Sequence, residues 1–140
     1  LARIARVLGV RLGTLLDDES IVGPVVVRKD APGGNERFRS VTNEDGEPAL
    51  DYLSLAAGKS GRHMDPFLVM VEPASRPPLS SHEGEEFVYV MEGAISLEYG
   101  KESYALGAGD SIYYDSIVEH RILATGTTPA RLLSVLYAPS

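Results

Sequence analysis

Cysteine is absent from this chain of 140 residues. There is therefore no disulfide, no thiolate to bind a metal and no thiol nucleophile. No apolar run is long enough to span a bilayer, and no signal-peptide pattern opens the chain. Positive charge is in short supply: 13 Lys and Arg stand against 20 Asp and Glu, a net charge of −7. A surface of that sign repels phosphate backbones, which argues against direct nucleic-acid binding by these residues. The combined expectation is a cytoplasmic protein with no membrane contact. Two further chemistries drop out. Gly33-Gly34 is not followed by the Gly-Lys-Ser/Thr of a phosphate-binding loop. Ser80 and Ser81 lie near His82 without an evident oxyanion donor set, which disfavours a serine hydrolase.

The length suits one domain plus a short appendage. In LARIARVLGVRLGTLLDDES, Leu1, Ile4, Ala5 and Leu8 share a helical face, and Gly9 is a helix stop. Leu12, Leu15 and Leu16 suggest a second short helix closed by Asp17-Asp18-Glu19. Two helices this short must pack on something else. The chain opens on Leu1 rather than Met, and the expectation is that a longer protein continues upstream. From Ile21 the pattern turns β-like. Strands are expected over 21–27, 37–41, 51–56, 67–71, 86–91, 94–99, 103–106, 111–114, 118–123 and 130–137. Short strands at regular spacing with Gly-rich turns indicate an all-β sandwich or barrel. The runs 67–71 and 132–137 are apolar on both faces, so the outer face needs cover, and a homodimer is the economical expectation.

The three histidines are His63, His82 and His120. His82 and Glu86 are four apart at a strand entrance, on one face if the chain is extended. His120 lies in a later strand. If the three converge, two imidazoles and one carboxylate form a ligand set for a divalent metal with positions left open, as in two-His-one-carboxylate iron sites. Fe, Zn, Mn and Ni all suit such a set. Alternation places Val88 and Val90 on the face of Glu86, with Phe87, Tyr89 and Met91 opposite, and puts Ile122 and Ala124 with His120. Ser80, Val88, Val90, Ile122 and Ala124 are the expected lining of a mainly aliphatic pocket, with His63 able to approach its mouth. Tyr89, Tyr99, Tyr113 and Tyr114 read as packing residues.

The stretch SSHEGEEFVYVMEG (80–93) resembles the first motif of the cupin superfamily, with His82, Glu86 and Gly93 in place. GAGDSIYYDSIVEH (107–120) resembles the second, with Gly109 and His120 in place. Ser80 stands where the motif has its first His, and Ala74 where it has its leading Gly. The resemblance implies a jelly-roll barrel (double-stranded β-helix) over 21–140, carrying His82, Glu86 and His120 as metal ligands. The first 20 residues resemble the last two helices of XRE-type helix-turn-helix domains, which implies a remnant of a DNA-binding domain. The two resemblances together imply an effector-sensing cupin domain of a transcription regulator. It would bind a small molecule in the barrel and reach promoter DNA only through a helix-turn-helix upstream. The alternative is a small metal-dependent cupin enzyme of dioxygenase or isomerase type.

Overall fold

In the segment EEFVYVME, Glu86, Val88 and Val90 alternate with Phe87, Tyr89 and Met91. A strand sends alternate residues to opposite faces, so one set is buried and the other looks outward. A computed structural model, which describes residues 23–29 and 38–139, shows this split: the first set is buried, the second half-buried or exposed.

The same logic builds nine strands among the described residues: β1 (Phe38–Thr42), β2 (Pro48–Ser54), β3 (Met64–Val71), β4 (Glu85–Glu92), β5 (Ala94–Tyr99), β6 (Glu102–Gly107), β7 (Ser111–Asp115), β8 (His120–Ala124) and β9 (Ala130–Tyr137). They pair antiparallel into a six-stranded sheet, β1-β2-β3-β9-β4-β7, and a three-stranded sheet, β6-β5-β8. The fold is all-β, of the jelly-roll kind, with the two inner faces enclosing the core. Val71, Val88, Val90, Ile95, Leu97 and Leu132 are fully buried there.

Glu92-Gly93 is more than a hairpin turn, because β4 and β5 do not pair with each other. The chain leaves one sheet for the other at this point. Gly93 has φ +81°, and a Cβ there would lie 3.0 Å from the Cα of Ala130. Only glycine makes that corner without strain.

Three expectations meet the structure differently. Residues 23–27 form no strand, and Val25 and Val26 are exposed. A Val-rich run raises β propensity, but with no neighbouring strand its backbone groups gain no ladder. The two short helices expected over 1–20 lie outside the described residues. The strand expected at 118–123 begins only at His120, because Val118 and Glu119 belong to the preceding turn. The outward face of the larger sheet does carry Leu68, Met70, Phe87, Tyr89, Leu133 and Val135, as the two continuous apolar runs predict. Among the described residues no helix is long and apolar enough to cross a membrane.

Leu132 sits on β9, between β3 and β4, at the centre of the larger sheet, and is fully buried. Leu132→Ala is expected to cost about 3 kcal/mol of unfolding free energy, since it removes apolar contact and leaves a cavity. Exposed Tyr104→Ala on β6 should change stability by less than about 1 kcal/mol. Urea denaturation of both variants checks the contrast.

Candidate metal centre

His82, Glu86 and His120 come from three different places in the fold. His82 is in the loop entering β4, Glu86 is the second residue of β4, and His120 opens β8 in the other sheet. The site therefore spans the two sheets. A short backbone bridge fixes their separation: the Ser80 N–H donates to the His120 carbonyl at 2.8 Å, and the His120 N–H donates back at 3.0 Å. The His82 N–H donates to the Ser116 carbonyl at 3.0 Å, and the Ser116 N–H donates to the Gly84 carbonyl at 2.9 Å.

Gly84 is what lets this loop close. Its φ is +122°, and a Cβ would come within 2.0 Å of the Tyr137 carbonyl oxygen. The backbone packs against the end of β9 where no side chain fits, and that contact seats His82 two residues before it and Glu86 two residues after.

One candidate ligand atom from each of the three side chains lies within 4.8 Å of the others. His120 Nε2 is 3.7 Å from Glu86 Oε1. Two ligands each about 2.1 Å from one ion are at most about 4.2 Å apart, so this pair already has the spacing a shared metal needs. The His120 Nδ1 lies 2.7 Å from the Val118 carbonyl. A carbonyl only accepts, so Nδ1 carries a proton, and Nε2 is the ring nitrogen turned toward Glu86. An outer hydrogen bond of this kind fixes a metal-binding imidazole. Glu86 is 5% exposed, and its Oε2 accepts from the Ser134 hydroxyl at 3.3 Å. Two imidazoles and a carboxylate, gathered and mostly buried, are compatible with a divalent metal site of the two-His-one-carboxylate type.

The other nominated residues separate. Ser80 is exposed and contributes its backbone bridge. His63 is exposed just before β3 and lies outside the His82–Glu86–His120 group. Val88, Val90 and Ile122 belong to the closed hydrophobic core, and Ala124 packs against it. Val90 and Ala124 are each four residues along their strands from Glu86 and His120, roughly 13 Å away at about 3.3 Å per residue. They share a face with the ligands but lie at the opposite end of the barrel. Alternation fixes the face of a residue and leaves its depth open.

Two tyrosines stand near the triad: Tyr114, which the sequence pattern marks only as a packing residue, and Tyr52, which it does not mark at all. Tyr114 is directly opposite Glu86 in the β4–β7 register, so both side chains enter the same interior. Its ring meets the His120 ring edge-on at 5.1 Å between centroids, and the His82 ring is 5.7 Å from that of His120. Tyr52, on β2, packs edge-on against Phe67 at 5.5 Å. Its phenol is pushed up to about 12 by burial and then by the negative charge of Glu86, against a smaller pull from Arg39. Burial, followed by the charge of Glu86 and a hydrogen bond to its carboxylate, also raises the phenol of Tyr114. The pairing of β4 with β7 was the signal that finds Tyr114, and single-strand alternation does not supply it.

The family model described as Cupin domain matches residues 67–136. Among curated proteins, (S)-2-hydroxypropylphosphonic acid epoxidase of Streptomyces wedmorensis is 30% identical over 151 residues, covering 96% of this chain and 71% of the relative. A crystal structure of the Fe(II) form of HppE in complex with substrate superposes with a TM-score of 0.66 at 25% identity, covering 82% of this chain. The chain spans 61% of that structure's length. A crystal structure of an HTH_3 family transcriptional regulator from Vibrio cholerae shares the fold, with a TM-score of 0.56 at 18% identity over 65% of this chain and 52% of that one.

The raised phenols give a test by alkaline titration. Tyr52 ionises above the ordinary value near 10, so the unfolded chain releases that proton first as pH rises. Stability is unaffected by this group below about pH 10 and falls between about pH 10 and 12. The expected result is a declining urea midpoint over that window. Tyr52→Phe should flatten the decline.

Proposed function

The chain belongs to the cupin family, and from that premise we propose that it is a mononuclear non-haem iron enzyme acting oxidatively on a small acid. The observation that carries this reading is the convergence of His82, Glu86 and His120 from both sheets, with candidate ligand atoms within 4.8 Å of one another. The set has two imidazoles and one carboxylate, which is complete for an iron site of this type without a third His. Ser80 in the place of the motif's first His is then no loss. The epoxidase relative and its Fe(II) form support iron over zinc, manganese or nickel.

When bound, ferrous iron supplies one-electron redox chemistry and open positions for substrate and oxidant. The protein's residues hold and shield it. His120 is kept in one tautomer by the Val118 carbonyl. Glu86 is oriented by Ser134. Val88 and Val90 close the barrel below the site against water. The substrate class is a small hydroxylated acid, and 2-hydroxypropylphosphonic acid, the compound in the relative's name, is the first to assay.

A second reading is an effector-sensing domain of a transcription regulator working as a homodimer. The N-terminal stretch that resembles helix-turn-helix helices supports it, and the apolar outer face of the larger sheet suits a dimer. The two readings share the site and differ in whether a bound acid is converted.

Anaerobic Fe(II) titration is expected to give one ion per chain. His82→Ala and His120→Ala should each weaken binding by more than about a hundredfold, since removal of a ligand exceeds the loss seen for outer-shell partners. Metal content unchanged in both variants would overturn the site. Oxidation of a hydroxylated acid by the iron-loaded protein separates the enzyme from the sensor.

A further inference from the structure

Ser80 and His120 form a directly opposed antiparallel pair, each donating its N–H to the other's carbonyl, at 2.8 and 3.0 Å. A pair that exchanges both bonds has its Cα atoms about 5.5 Å apart and its side chains on the same face. His120 turns its ring toward Glu86 on that face. The Ser80 side chain therefore leaves the backbone beside the His120 ring. Ser80 is also two residues from His82, whose ring centroid is 5.7 Å from that of His120. The neighbouring hydroxyl is committed elsewhere: Ser81 Oγ donates to the Ile117 carbonyl at 2.7 Å.

Burial is graded across this group. Glu86 and His120 are each 5% exposed, His82 is half-buried and Ser80 is exposed. Val88 and Val90 close the barrel behind Glu86. A molecule arriving from solvent therefore reaches the group from the side that His82 and Ser80 occupy. Ser80 offers it a short neutral hydroxyl, with one proton to donate.

We propose that the Ser80 hydroxyl donates a hydrogen bond to an anionic oxygen of a small acid bound at the open side of the His82–Glu86–His120 group. The inference rests on the metal reading above and deepens it by assigning a residue of this chain to the bound acid. A charged acceptor strengthens such a bond. The short side chain leaves room for the acid where a longer one would fill the opening.

The test uses Co(II)-loaded protein with acetate as the acid, followed by the Co(II) absorption spectrum. Ser80→Ala is expected to weaken acetate binding by about tenfold, the effect of losing one hydrogen bond to a charged group. Its Co(II) affinity should equal that of the parent. Ser81→Ala removes the adjacent hydroxyl and should bind acetate as the parent does. Ser80→His places an imidazole at the same point, and should bind Co(II) more tightly, shift the spectrum and lose the acetate response. Unchanged acetate affinity in Ser80→Ala, or equal weakening in Ser81→Ala, would overturn the proposal. So would a fall in Co(II) affinity in Ser80→Ala, which would make the residue a support for the ligands rather than a contact of the acid. A Ser80→His protein with the parent's spectrum and acetate affinity would show that residue 80 does not reach the site, and the proposal fails. It fails too if acetate leaves the parent spectrum unchanged. Absence of Co(II) binding to the parent protein would overturn the metal reading, and this inference with it.

Discussion

A carboxylic acid inside a hydrophobic barrel is the constraint around which this fold is arranged. Glu86 sits on the same strand face as Val88 and Val90, both fully buried, and is itself almost closed to solvent. Burying a carboxylate without partners is expensive, and the cost falls only when hydrogen bonds or opposite charge reach it. Each neighbour of Glu86 bears on that requirement. Ser134 comes from β9, Tyr114 from β7, and His120 from the opposite sheet. The register of β4 between β9 and β7 is what delivers the first two. The backbone bridge from Ser80 delivers the third.

The loop before β4 shows how little sequence is needed to satisfy such a constraint. His82 to Glu86 spans five residues, and its middle residue is a glycine whose missing side chain is occupied by the Tyr137 carbonyl. A substitution there would displace two candidate ligands at once while leaving both residues themselves intact. The motif's leading position tells a related story. Ala74 stands where the first cupin motif has glycine, and it adopts φ +59°. An L-residue in the left-handed region carries about 1 kcal/mol or more of strain. The fold holds this left-handed turn with an alanine in place of the glycine best suited to it.

Much of this was legible in the sequence. Alternation in EEFVYVME reveals which side of β4 faces inward, and the spacing of His82, Glu86, Gly93, Gly109 and His120 identifies the fold family. What stayed hidden depends on strand pairing. One strand's pattern cannot show that β4 and β5 part company at Gly93, or that Tyr114 lands opposite Glu86. Nor does it show depth: Val90 and Ala124 share a face with Glu86 and His120 yet lie a strand's length away. Residues 23–27 form no strand for a related reason: β propensity is realised only beside a partner strand. Ser80, which stands where the motif has its first His, is exposed and lies outside the gathered group. The group that the structure gathers is His82, Glu86 and His120, compatible with a metal site.

The bridge between Ser80 and His120 has a kinetic consequence. His82 lies in the loop entering β4 and Glu86 on β4, inside the six-stranded sheet, whereas His120 belongs to the three-stranded one. An ion shared among them would act as a clasp across the mouth of the barrel. Its escape would then require the two sheets to part there, breaking the paired backbone bonds at 2.8 and 3.0 Å together with the metal bonds. Metal release and opening of the mouth become a single event. The lifetime of the ion in the protein would be set by how often the sandwich opens at that end, and an exchange rate measured for the metal would also report on local unfolding of β8.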